Sequence, residues 1–218
     1  MAAFKQSSPP SNHEVEITLG LLNAVHENDK LTQRTVAQEL GIALGLANAY
    51  LKRCVKKGYV KVQQIPKNRY AYYLTPQGFA EKSRLTAEYL SFSFVFFRSA
   101  RAQCDEIFAH CAEQGWRTIV LVGGGDLCEI AILCGREFPI TFIGVVDSDC
   151  DADTFSGLAV LKEINVLSTA DAAMITDLQE PQVAFDTAIE VLPRERVLAP
   201  KLLKVSQQPP RLEEEEAS

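Results

Sequence analysis

A chain of 218 residues, 47% hydrophobic and 23% charged, has the make-up of an ordinary globular protein with length for one or two domains and a sizeable core. No apolar run approaches the roughly 18 residues that span a bilayer, so no membrane partner is expected. The net charge of −6 speaks against nucleic acid only as an average: residues 1–90 carry 12 Lys+Arg against 7 Asp+Glu, and residues 91–218 carry 10 against 21. A net of +5 on one part and −11 on the other suggests a nucleic-acid face on the first.

The N-terminus, MAAFKQSSPPSNHEVE, has no basic region followed by an apolar stretch. It is not read as a secretory signal, and a cytoplasmic location is expected. Residues 1–12, with Ser7-Ser8-Pro9-Pro10-Ser11, read as a mobile arm. From His13 to Glu27, Val15, Leu19, Leu22 and Val25, flanked by Ile17 and Leu21, fit the stripe of a first helix.

Thr32 is an N-cap for a short second helix over 33–40, with Val36, Ala37 and Leu40 facing inward. Gly41 follows where a left-handed cap needs a residue without a Cβ. A third helix is predicted over 44–57, with Leu46, Ala47, Tyr50, Leu51, Cys54 and Val55 on its buried side and Gly58 as its stop. Two such helices around a glycine have the spacing of a helix-turn-helix. Residues 59–63 and 69–74 are rich in β-formers, and Gln64-Ile65-Pro66-Lys67-Asn68 between them suits a hairpin tip.

The runs TQRTVAQELGIALGLANAYLKRCVKKGYVKV and YAYYLTPQGFAEKSRLT resemble winged helix-turn-helix regulators of the MarR type, above all the short members associated with exopolysaccharide clusters. The resemblance covers residues 13–95, with helix-turn-helix, wing and a Leu-Thr-Pro-x-Gly exit in register. It implies an α+β winged-helix domain over 13–75 that holds double-stranded DNA. Where such proteins often carry Ser at the start of the recognition helix, this chain has Ala43, which removes a cap and a phosphate contact.

On the third helix, Leu44, Gly45, Asn48, Lys52 and Arg53 are the groove-facing candidates. Asn48 suits adenine, and Lys52 or Arg53 suits guanine or phosphate. Thr32, Gln33 and Arg34 at the start of the second helix and Lys67, Asn68 and Arg69 at the wing complete the candidate DNA-binding set. The alternative is a winged helix used for protein contacts, its charges a solvated face.

Residues 76–115 show a long helical pattern opened by Pro76. Leu85, Tyr89, Phe92, Phe96, Ala100, Cys104, Ile107, Phe108 and Cys111 step along it, and YLSFSFVFF over 89–97 is apolar nearly all round. An apolar-all-round helix must be buried. A homodimer through the 85–111 helix is expected, since paired half-sites suit a two-fold axis. Packing on the chain's own C-terminal domain, or a strand through Phe92, Phe94 and Phe96, is the alternative.

Beyond residue 115 a small α/β Rossmann-like domain with a parallel sheet is predicted over 116–205. A strand over 117–122, the loop Gly123-Gly124-Gly125, a helix through Ile130, Ala131 and Leu133, and a strand over 141–146 ending at Asp147 follow the order of a dinucleotide-binding unit. Gly123 would make the tight turn, Gly125 with Asp126 would meet a phosphate at the helix N-terminus, and Asp147, 24 residues after Gly123, would meet a ribose. Cys128 replaces the third glycine, and Asp126 and Glu129 put negative charge where a pyrophosphate would sit.

A strand over 172–175, a helix over 181–191 and a strand over 196–200 bring the predicted total to about four strands. VLVGGGDLCEIAI, ITFIGVVDSD and FSGLAVLKEI resemble the nucleotide domains of Rex-type repressors and the small Rossmann-like domains on nucleotide-sugar enzymes. That implies NADH, NAD or a nucleotide-sugar as a small-molecule effector.

No catalytic residues are assigned: no histidine follows Cys111, and there is no Tyr-x-x-x-Lys pair or nucleophile elbow, so the chain is expected not to be an enzyme. Six cysteines form no CxxC pair and read as buried reduced thiols, with a redox-sensing thiol the alternative. Asp147, Asp149, Asp151 and Asp153 read as a solvated loop, with a cation site the alternative, and no metal ligand is assigned. The tail over 206–218, ending in four consecutive glutamates before Ala217 and Ser218, reads as disordered.

Overall fold

The computed structural model describes residues 12–28, 31–65 and 69–206, without the side chains at 12, 13, 65 and 69. The expectations for the arm, for Lys67 and Asn68, for the Arg69 side chain and for the acidic tail lie outside the described residues. The chain divides into two compact units, Met1–Val95 and Phe96–Ser218.

The first unit is a winged helix. Its described elements run α1 (Asn12–Glu27), α2 (Gln33–Glu39), α3 (Leu44–Lys56), β1 (Val60–Ile65) and β2 (Arg69–Leu74). The α1 stripe is buried as its spacing predicts: Val15, Leu19, Leu21, Leu22 and Val25 join Val36, Ala37, Ala47, Leu51 and Cys54 in one core, and Ile17 is buried too. Thr32 begins α2 with a reciprocal cap, accepting from Thr35 N–H at 3.2 Å and donating its own N–H to Thr35 Oγ1 at 3.0 Å. Gly41 and Gly58 take the positive φ their positions predict.

β1 and β2 pair antiparallel from Val60↔Leu74 to Ile65↔Arg69. The Leu-Thr-Pro-x-Gly exit then has a physical account. Thr75 Oγ1 donates to Gly58 O at 2.6 Å and accepts from Gly78 N–H at 3.0 Å, capping the next helix. A Cβ at Gly78 would collide with the Tyr59 carbonyl, so only glycine lets that helix start so close to β1.

That helix, α4, runs Pro76–Glu113. The strand alternative through Phe92, Phe94 and Phe96 is therefore wrong. Leu85 is buried in the first unit, and Ala100, Cys104, Phe108 and Cys111 are buried in the second. Between them Tyr89, Leu90, Phe92, Phe94, Val95 and Phe97 are exposed.

The second unit is α/β with a mostly parallel sheet. It continues with β3 (Thr118–Val122), α5 (Asp126–Gly135), β4 (Thr141–Val146), β5 (Thr154–Phe155), β6 (Leu158–Leu161), β7 (Ala172–Ile175), α6 (Pro181–Ile189) and β8 (Val197–Leu198), with 3-10 turns at Ile164–Thr169, Arg194–Arg196 and Lys201–Leu203. The strand order is β5-β6-β4-β3-β7-β8, parallel throughout except for the β5–β6 pair. Six strands replace the four predicted, because the β5–β6 hairpin escaped notice.

Alternation along β3 sorts the two faces. Ile119 and Leu121 pack with α5 and the end of α4, while Val120 and Val122 pack with α6 and Leu167. Among the described residues no helix is long and apolar enough to cross a membrane.

Candidate nucleic-acid interface and glycine loop

α3 carries Lys52, Arg53 and Lys56 and no carboxylate. Its N-cap, Ala43, makes no side-chain hydrogen bond, as the missing Ser implies. Leu44, Gly45, Ala49, Lys52 and Lys56 are exposed, and Asn48 is half-buried. Residues four apart share a helix face, so Leu44, Asn48, Lys52 and Lys56 lie along one side. A shallow groove of ≈ 280 Å³ there is lined by Gln33, Asn48, Lys52, Val55, Lys56, Val62 and Tyr72, among others. Gln33 thus joins the candidates on α3, and Arg34 is exposed nearby in sequence. Asn48 Oδ1 is buried without a hydrogen-bond partner.

Two candidates are placed differently from the expectation. Arg53 pairs with Glu14 of α1, on the flank away from Asn48, and lines a second cavity of ≈ 170 Å³ with Lys57, Glu81 and Arg84. Its guanidinium, about half exposed, is paired within the unit. Thr32 spends its hydroxyl and N–H on the α2 cap. Lys56 was missed, although its place four residues after Lys52 was the available signal. Leu46 and Val55, expected inside, are 40% and 37% exposed, and Val55 forms part of the groove floor.

In the second unit the glycine loop is held by its own neighbours. Gly123 has φ +97, and a Cβ there would lie 2.5–2.6 Å from Asp177 atoms, so the tight turn requires glycine. Thr176, fully buried, donates to Gly123 O at 2.6 Å and binds the two loops together. Gly125 precedes α5 with φ +124, and Asp126 is exposed in the first turn of that helix.

Asp147 does not stand open. Its Oδ2 accepts from Gly124 N–H at 3.0 Å, and its Oδ1 accepts from Asp149 and Cys150 N–H, both at 3.0 Å. Of about four acceptor sites on a carboxylate, one remains, whereas a ribose brings two hydroxyls. Phe155 of the β5–β6 hairpin lies 3.7 Å from where a Gly124 Cβ would be, and Ser156 bonds Glu129 at 3.1 Å.

The acidic run beyond Asp147 is organised by Lys162, whose ammonium donates to the carbonyls of Asp147, Ser148 and Cys150. Among the described residues no cluster of three His, Cys, Asp or Glu could hold a metal. Five of the six cysteines are buried. Burial pushes the thiols of Cys54, Cys111 and Cys134 up to about 11 and those of Cys104 and Cys128 to about 12, away from reactive thiolate.

Residues 16–61 match the family model for winged helix-turn-helix DNA-binding. No curated protein matches the sequence. Among solved structures, the chain is similar to the PcaV transcriptional regulator of Streptomyces coelicolor, solved with its natural ligand, at 22% identity and a TM-score of 0.35. That likeness covers 43% of this chain and 63% of PcaV. It is also similar to MepR, a transcription regulator of the Staphylococcus aureus multidrug efflux pump MepA, at 20% identity and a TM-score of 0.32, over 37% of this chain and 61% of MepR. The chain thus spans under two thirds of either regulator.

A third similar structure is human N-acetylserotonin methyltransferase in complex with SAM, at 13% identity and a TM-score of 0.37, over 86% of this chain and 76% of the enzyme. Two expectations are corrected on this finding. An enzyme resembles most of the chain, so the expectation that the chain is not an enzyme is withdrawn. That enzyme is solved in complex with SAM, and NADH, NAD and nucleotide-sugar are withdrawn as ligands. Likeness at these scores assigns no activity. Asp147 as placed keeps about one acceptor site for a ribose-bearing group such as SAM.

Proposed function

We propose that this protein is a DNA-binding transcriptional regulator of MarR-like pattern that acts as a homodimer. Each protomer places α3 in a major groove, with Asn48 on adenine and Lys52 and Lys56 on phosphates, while Lys67, Asn68 and Arg69 of the wing reach the backbone or minor groove. Gln33 and Arg34 contribute from the start of α2. The exposed apolar residues of α4 between Tyr89 and Phe97 supply the dimer contact, and the second unit serves ligand sensing or assembly.

The observation that carries this reading is the exposed Lys52–Lys56 face of α3, free of carboxylates, inside a stretch matching a winged helix-turn-helix DNA-binding model. Phosphate attraction dominates such binding and falls with salt. Titration of labelled duplex DNA, including DNA from upstream of the protein's own gene, with the full chain at rising salt tests it. Salt-sensitive binding is expected. An absence of binding to every duplex at low salt would favour a winged helix used for protein contacts.

A further inference from the structure

We infer that the recognition helix reads A·T pairs through the thymine methyl group, with Leu44 and Ala49 as the methyl-reading surface and Asn48 as the adenine reader. This deepens the DNA-binding reading above and rests on it. Leu44 is 49% exposed, Ala49 is exposed, and a Cβ added at Gly45 would meet nothing within 4 Å, so the leading turns of α3 present open apolar surface. Asn48 is the single side chain of the first six residues of α3 that can make a hydrogen bond.

The major groove offers few partners for such a surface. Guanine presents two acceptors and is best met by the long cationic side chain of an Arg or Lys, which these turns lack. Lys52 and Lys56 sit one and two turns beyond Asn48. The C5-methyl of thymine is the apolar group on that groove wall.

Asn48 makes the second, independent case. Its Oδ1 is buried and unpartnered, a costly placement that the side chain leaves by rotating outward, and only then are both ends of its amide open to a base. Adenine supplies both halves of an amide's need, N6–H for the oxygen and N7 for the Nδ2 donors. Whichever way the amide is turned, the same base satisfies it.

The test begins with the full chain and a random-sequence duplex pool at low salt. The best-retained sequence is then remade with deoxyuridine for thymidine at one position at a time, which removes the methyl and keeps the pairing. Binding should weaken about fourfold for each contacted methyl, the factor that burial of one such group is worth, at one or two positions per half-site. In Leu44→Ala, an exposed position where folding is not at stake, the penalty should vanish at the position Leu44 covers while the salt dependence stays as in the parent.

Equal binding of every deoxyuridine duplex would overturn the methyl reading and leave DNA binding standing. A Leu44→Ala variant that keeps the full penalty would also overturn it. A pool from which no duplex is retained would remove both the inference and the function beneath it.

Discussion

At Gly123 the backbone leaves β3 with φ +97, and its Cα faces Asp177 with no space for a methyl. Gly123→Ala would add positive-φ strain to a backbone clash, a combined cost of about 3 kcal/mol. Chemical denaturation should show it as a lower midpoint with an unchanged slope. Asp171, at the other end of β3, accepts from Arg117 N–H at 2.8 Å and from Thr118 N–H and Oγ1–H at 2.9 Å. These bonds, the Arg117 amide first, hold its carboxyl below the usual aspartate range. A carboxyl lowered on folding contributes stability above the unfolded value of about 3.9 and loses it as pH falls through the lower folded value. Asp171→Asn should therefore flatten the acid limb of a stability–pH profile; an unchanged limb would contradict the role.

Individual side chains were the least legible part of the sequence. Spacing put Arg53 beside Lys52, but its partner Glu14 lies far back in the chain, and only the packing of α1 on α3 brings them together. Asp147 stood where a ribose acid would stand. Its carboxylate closes the loop on Gly124, Asp149 and Cys150, backbone bonds that no side-chain pattern announces.

Elements were more legible, because their signals are local. The 3.6-residue stripe of α1, the reciprocal Thr32–Thr35 cap and the Thr-Pro-x-Gly exit each carry their physical reason in a few consecutive residues. The β5–β6 hairpin was missed for lack of length: its strands hold two and four residues. A signal existed in Ser156-Gly157, both at positive φ, as a two-residue hairpin turn requires.

Within one chain, burial along α4 follows only part of the expected stripe. Periodicity foretold Leu85, Ala100, Cys104, Phe108 and Cys111 inside, but Tyr89 and Phe92 are exposed beside Leu90, Phe94, Val95 and Phe97. Leu90, Phe94 and Phe97 recur at four and three residues, the spacing of a helix–helix seam. If that stripe pairs two protomers, sedimentation should find a dimer, and Phe94→Glu should convert it to a folded monomer at micromolar concentration. A parent chain that sediments as a monomer would contradict the dimer.

For the whole molecule, the charge split proved more informative than the total. The +5 of residues 1–90 includes the Lys52–Lys56 face, and the −11 of the remainder includes the acidic run Asp147, Asp149, Asp151 and Asp153. The alternation of strands and helices made the α/β class of the second unit readable. What binds there was not readable, because a glycine loop and a distal acid describe a fold before they describe a ligand.

The most direct test of a DNA-binding role compares the salt dependence of duplex binding for the full chain with that of Lys52→Gln/Lys56→Gln. Both lysines are exposed, so the fold should persist. The plot of log K against log salt should become shallower by about 0.9 for each phosphate contact removed, with weaker binding to every sequence. An unchanged slope and affinity, with the parent bound, would show that this face does not hold DNA.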